Sequence, residues 1–387
     1  VAPDTHEIED LIIKSPSFDE ILRDESEIKL VPESVIDAYY AAIADRCHPG
    51  SRPGSSTGSR IKSGMTCDFP ITYTPLHGVG TKYALRALKE AGFKNIQVVA
   101  SQAKPDGNFP TVKFPNPEEP GALDEALKLA KETSSELILA NDPDADRLAV
   151  CVNQQILSGN EIGLLLANYL LENFLPLKKG GQGGFKPLVM TTFVSSRMLS
   201  YIAVKYQVSY EETATGFANI MSRAFERERD LGEKFLFGYE EALGYCIGHQ
   251  VRDKDGISAL VCFANLYAKL KYENKTVFDE LDRLALEYGL FTSLSWSLKG
   301  DLNNLLSKAE NLPDLDKQGA KVPGMTLYTG ENDLRLIVRK SGTEPKIKFY
   351  AETIAHPKNL GELQKIRQEQ MAYLENLHTK IEAYVQG

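Results

Sequence analysis

Two rhythms of apolar and polar residues run along the chain. Short apolar runs at 71–74 and 96–99, and on both sides of residues 141–147, have strand length. Between them, 82–91 and 123–131 carry apolar residues at helical spacing. Asn160 and Glu161 open a helix that runs to about Phe174. A glycine-rich break at 178–186 precedes a second series: strand 188–192, helix 195–206, strand 208–211, helix 216–229, strand 235–237 and helix 257–270. After about Gly289 the rhythm changes. Strand-like 294–298, 335–338 and 347–351 flank single helices, and a long helix spans about 360–384. Upstream, Val31, Val35, Ile36, Tyr39, Tyr40 and Ile43 fall at helical spacing, and His48 to Ser59 reads as a Gly/Ser/Pro linker. The expected fold class is therefore α/β: two successive α/β domains with largely parallel or mixed sheets, at 69–185 and 186–290. A smaller C-terminal α+β domain follows at 291–387, and 1–68 is a tail plus linker.

Between two apolar runs lies Asn141-Asp142-Pro143-Asp144-Ala145-Asp146-Arg147. Alternate positions on an extended segment point the same way, whereas on a helix they would scatter. Pro143 disfavours a helix at Asp142. Three carboxylates converging in one loop repel unless a cation joins them, and a hard divalent ion, Mg²⁺ before Ca²⁺, suits oxygen ligands. Arg147 beside them offers a planar fork for phosphate. The spacing does not fit an EF-hand, whose sixth position needs Gly where Arg147 stands and whose twelfth needs Glu where Asn153 stands. A phosphatase with Asp142 as nucleophile would carry a hydroxyl residue where Asp146 stands.

Composition narrows the partners. A net charge of −9 over 387 residues gives no basic field for nucleic acid or a membrane surface. No apolar run approaches a membrane span, and the acidic start is not signal-like. The 5 cysteines, scattered and without a C-x-x-C pair, fit buried thiols in a reduced, cytoplasmic protein.

Three further loops carry chemistry. Gly238-Tyr239-Glu240-Glu241 follows a strand, and in extended geometry the adjacent carboxylates face opposite ways. Thr215-Gly216 ends a strand at a helix start, where backbone amides collect anions. From Arg335 to Lys348, around Arg339-Lys340-Ser341-Gly342-Thr343-Glu344-Pro345-Lys346, five basic residues and one acid stand in an acidic chain. The stretch combines a fork, hydroxyls and a glycine, as a phosphate clamp does.

The order of these loops resembles the α-D-phosphohexomutase family. The wording at 74–80, 141–148, 239–244 and 341–348 is most similar to its phosphoglucomutase/phosphopentomutase branch, which includes the glucose-1,6-bisphosphate synthases. The resemblance implies phosphotransfer within a sugar phosphate, glucose 1-phosphate/6-phosphate or ribose 1-phosphate/5-phosphate, through a bisphosphate. It implies Mg²⁺ on Asp142, Asp144 and Asp146, with Arg147 at the transferring phosphoryl group. Thr215, Gly216, Glu240, Arg339, Ser341, Gly342, Thr343 and Lys346 would bind substrate, and glucose 1,6-bisphosphate would be the activator. The family's phosphoserine loop, Thr-x-[Ser/Gly]-His-Asn-Pro, is not found in the sequence, so a missing N-terminal domain is expected to complete the site. Ala218 stands where many relatives have Lys, and Ala242 where hexose-preferring relatives often have Ser. The alternatives are a non-catalytic sugar-phosphate-binding protein, a bisphosphate synthase or a Mg²⁺-dependent phosphatase.

Overall fold

The computed structural model describes residues 4–21, 24, 26, 28–47, 68–174, 186–319, 324–341 and 345–386. The linker expected after His48, nearly all of the glycine-rich break, and Gly342 and Thr343 lie outside them.

Three sheets form the frame. The first contains β1 (Ile71–Thr74), β2 (Ile96–Val98), β3 (Leu137–Ala140), β4 (Ala149–Val152) and β5 (Gln155–Ile156) in the order β2-β1-β3-β4-β5. The second contains β6 (Pro187–Thr192), β7 (Ser209–Thr213), β8 (Lys234–Glu240) and β9 (Gly244–Ile247) in the order β7-β6-β8-β9. In both, three parallel strands end in an antiparallel hairpin. The parallel strand β3 is buried throughout, which explains its unbroken apolar run. The third sheet is antiparallel: β10 (Leu290–Lys299), β11 (Asp316–Gly319), β12 (Met325–Gly330), β13 (Leu334–Lys340) and β14 (Lys346–Ala355), ordered β10-β14-β13-β12-β11. The helix Leu360–Gln386 packs on it. Its buried positions Leu363, Gln370, Leu374, Ile381 and Val385 step by seven and four, a straight stripe on a 3.6-residue helix. The α/β class with a C-terminal α+β unit is thus the fold found.

Two helices join the first two sheets. The helix Gly159–Phe174 follows the first hairpin but packs on β8 of the second sheet. The helix Gly256–Tyr272 packs both on β9 of its own hairpin and on the helices Thr81–Glu90 and Glu33–Cys47. This second helix is buried continuously from Gly256 to Ala268, as its near-uniform apolarity requires. Both helices contribute to one large hydrophobic core that spans the two sheets.

Two local expectations change. The helix expected from Ser195 begins at Met198, because residues 192–196 form a turn with the Ser195 amide donating to the Thr192 carbonyl at 3.1 Å. The helix Val277–Tyr288, which Thr276 and Asp279 cap reciprocally, is an addition, as are β5, β9, β11 and β12. Among the described residues no helix is long and apolar enough to cross a membrane.

Candidate active site

The aspartate loop joins β3 to β4. It is not extended throughout. The Ala145 amide donates to the Asp142 carbonyl at 2.9 Å and Ala145 takes φ 61°, so the chain turns tightly. The turn, rather than simple alternation, brings Asp142, Asp144 and Asp146 together. One carboxylate oxygen of each lies within 4.8 Å of the others. Asn141 braces the loop from below: it accepts from the Tyr73 hydroxyl at 3.0 Å and donates to the Arg147 carbonyl at 2.7 Å.

Cations already neutralise part of this charge. Arg147 donates to Asp142 from its amide (3.0 Å) and from Nε (2.6 Å). Its Nη1 donates to Asn116 at 3.1 Å. The guanidinium expected to fork onto a phosphate therefore first holds the aspartate loop in shape. Lys254 Nζ lies 3.0 Å from Asp146. Two cations against three carboxylates leave one formal negative charge. A set of oxygen ligands at this spacing fits a hard divalent ion bound at about 2.0–2.6 Å, with water or a ligand oxygen completing the shell.

The second loop joins β8 to β9, in the same place on its sheet as the aspartate loop. Its carboxylates do diverge. Glu240 Oε1 accepts from the Gly216 amide at 2.7 Å, so the helix start expected to collect an anion holds this side chain. Thr215 sits beside it, its carbonyl accepting from Asn219 at 2.8 Å. Burial raises the Glu240 pKa, opposed by the Gly216 amide, Lys254 and Arg339. Glu241 turns the other way and accepts from the Ser195 hydroxyl at 3.1 Å. Burial, with Glu240 alongside, pushes it up to about 7.

The two hairpin loops touch. Arg147 forms an isolated antiparallel bridge with Gly244, and the Leu148 amide donates to the Leu243 carbonyl at 3.1 Å. The helices that follow start on glycines for the same reason. A Cβ on Gly159 would come within 1.8 Å of the Glu241 carbonyl oxygen, and one on Gly256 within 2.3 Å of the Arg147 carbonyl oxygen. Each helix N-terminus is pressed against the loop of the other sheet, and only hydrogen fits.

The third loop follows β13. Arg339 lies opposite Lys348 in the β13–β14 ladder and donates to the Tyr350 hydroxyl from Nη2 at 3.3 Å. Ser341 is buried and its amide donates to the Lys346 carbonyl at 2.9 Å, which closes the loop. Lys348 has its pKa lowered by burial and by its neighbours Arg339 and Lys346. Glu118 is exposed, lies 4.0 Å from Arg147, and lines one cavity with Lys348. A cavity of about 1070 Å³ opens where the three sheets meet, with Glu118, Glu241, Lys346 and Lys348 in its wall. The three aspartates are not part of that wall, so the cavity lies beside the aspartate loop.

Sequence reading passed over Asn116, Glu118, Lys254 and Tyr350. Lys254 lies in Arg252-Asp253-Lys254-Asp255, which reads as a solvated charge run. Its partner Asp146 is over one hundred residues away.

Comparison with known proteins gives concordant results. Residues 55–155 match the family model described as phosphoglucomutase/phosphomannomutase, alpha/beta/alpha domain II. Residues 158–287 match domain III of the same description. The chain is 39% identical over 376 residues to a probable phosphomannomutase of Haemophilus influenzae, covering 91% of this chain and 71% of that protein. It is 36% identical to the phosphopentomutase of Mus musculus, covering 75% of this chain and 53% of that protein. The glucose 1,6-bisphosphate synthase of Homo sapiens is 33% identical, with 77% and 54% covered. Among solved structures, the open form of a Paramecium phosphoglucomutase, parafusin, superposes with a TM-score of 0.64 at 19% identity, covering 94% of this chain and 65% of that one. That likeness is one of fold.

Proposed function

The chain belongs to the phosphoglucomutase/phosphomannomutase family, and from that premise we propose that it carries the metal, sugar and phosphate loops of a phosphosugar mutase. The observation that carries the reading is the meeting of three loops from three sheets. The aspartate loop bridges to Gly244, Glu118 lies 4.0 Å from Arg147, and Glu118 and Lys348 line one cavity.

In this reading Asp142, Asp144 and Asp146 hold Mg²⁺, which when bound supplies positive charge to a phosphoryl oxygen. Arg147 orients the aspartates through Asp142. Glu240, its second oxygen free of the Gly216 bond, accepts hydrogen bonds from sugar hydroxyls. Arg339 and Ser341, with Lys346, Gly342 and Thr343, bind the phosphate that is not being transferred. Thr215 and Gly216 shape the sugar side. The net reaction moves one phosphoryl group between the anomeric oxygen and the terminal oxygen of the sugar, through a bisphosphate such as glucose 1,6-bisphosphate. Such transfer is governed by positioning and charge neutralisation. The phosphoserine loop implied by the resemblance is not found in these residues, so their roles are binding and orientation. The buried free thiols Cys47, Cys151, Cys246 and Cys262 suit a reduced, cytoplasmic setting.

Arg339→Ala tests the clamp. Calorimetry should show glucose 1-phosphate affinity falling about ten- to a hundredfold, the value of one charge-assisted hydrogen bond, with glucose affinity unchanged. Equal loss for both ligands would sink the assignment.

A further inference from the structure

The C-terminal sheet is fastened to the second sheet by a buried set of charges. Arg335 on β13 and Glu352 on β14 face each other in register and are 9% and 4% exposed. Arg335 Nη1 donates to Glu212 at 3.1 Å, and its Nη2 donates to the Ser195 carbonyl. Arg197 donates to Glu352 from Nε at 2.7 Å and to the Asp333 carbonyl at 3.0 Å. Val194 packs against Ile337 and Met325 at the same seam. The turn at 192–196 is therefore gripped by the C-terminal sheet through both charge and apolar contact.

The same turn holds the sugar loop. The Ser195 hydroxyl donates to the Glu241 carboxylate at 3.1 Å and accepts from the Glu241 amide at 3.1 Å. Thr192 adds a contact to that carboxylate at 3.4 Å. Ser195 thus reaches Arg335 with its carbonyl and Glu241 with its hydroxyl, and Glu240 is the next residue. At its other end, β13 carries Arg339 on the same face as Arg335, four residues and about 13 Å along the strand. One strand bears both the clamp and the anchor that touches the sugar loop's support.

We propose that Arg335 and Ser195 are positioning residues that set the sugar loop according to how the C-terminal sheet is docked, so that a sugar phosphate is read as one ligand. This rests on the reading that Glu240 meets sugar hydroxyls and Arg339 the phosphate. The arrangement makes phosphate capture and sugar recognition energetically coupled. Inorganic phosphate needs only the clamp. Glucose 1-phosphate needs the clamp and the loop at a fixed separation.

The test compares those two probes by calorimetry on the full chain. Ser195→Ala keeps the carbonyl contact but cuts the hydroxyl link. Arg335→Lys keeps charge but cannot reach Glu212 and Ser195 together. Each should weaken glucose 1-phosphate about tenfold, one hydrogen bond's worth, and leave inorganic phosphate within about twofold. The double variant should lose no more than either single one, since both cut one chain. Equal weakening of the two probes would mean a merely structural seam and would overturn the proposal. Additive losses would overturn it as well. If the unaltered chain bound glucose 1-phosphate no better than phosphate, the sugar-loop reading would itself fail, and the coupling with it.

Discussion

Gly256→Ala is expected to destabilise the protein by about 1–3 kcal/mol, the usual cost of forcing a methyl into a packed site. It should also weaken Mg²⁺ binding more than its effect on stability alone would suggest. The added Cβ would meet the Arg147 carbonyl at 2.3 Å, the Asn141 side-chain nitrogen at 2.6 Å and the Ala145 carbonyl at 2.8 Å. Two of these are backbone atoms of the metal loop, so the helix or the loop must move. Movement also stretches the bond from the Gly256 amide to the Ala145 carbonyl, now 3.1 Å. Gly107→Ala, with nothing within 4 Å of the new methyl, is the control and should stay within about 0.5 kcal/mol. Thermal melts with and without Mg²⁺ decide it. A Gly256→Ala protein indistinguishable from the control would show that the helix start does not set the loop.

The second large effect separates two aspartates. Asp142 is almost fully buried and takes both hydrogen bonds from Arg147. Asp142→Ala leaves that guanidinium and amide without their acceptor. The expected cost is about 3 kcal/mol, the low end for a broken buried pair because Arg147 keeps some solvent contact. Asp144 is exposed and has no such structural duty. Asp144→Asn should leave the melting temperature nearly unchanged or raise it, since it relieves repulsion, and should still weaken Mg²⁺. Calorimetric Mg²⁺ titration of the Asp144→Asn protein is the check: unchanged affinity would rule out the three-aspartate site.

These two cases show what the sequence made legible. Three alternating aspartates between apolar runs pointed to a loop of converging carboxylates, and the structure brings them together. Their convergence, however, comes from a turn at Ala145 that a period-two argument does not contain. The divergence of Glu240 and Glu241 followed from strand geometry alone. The tight fit at Gly159 and Gly256 leaves no local signal, since the backbone they touch belongs to another sheet. Lys254 hid in a run of mixed charge for the same reason. The helix Val277–Tyr288 had its signal in Thr276 and Asp279, a reciprocal cap three residues apart, and could have been found. The short strand β9 could not, because Gly244–Ile247 merges with the loop before it and is defined by its partner β8. Long-range contacts, rather than local rhythm, account for most of what was missed.

The central claim is that the aspartate loop and the basic loop serve one ligand. The most direct test replaces Mg²⁺ with Mn²⁺ and follows phosphorus relaxation of glucose 1-phosphate by NMR in the presence of the chain. Mn²⁺ bound at Asp142, Asp144 and Asp146 should strongly enhance the relaxation of the bound phosphate. Mg²⁺ should compete the enhancement away, and both Asp144→Asn and Arg339→Ala should lose it. Mn²⁺ that binds tightly while the phosphorus signal of bound glucose 1-phosphate stays unperturbed would place metal and ligand at separate sites and contradict the account.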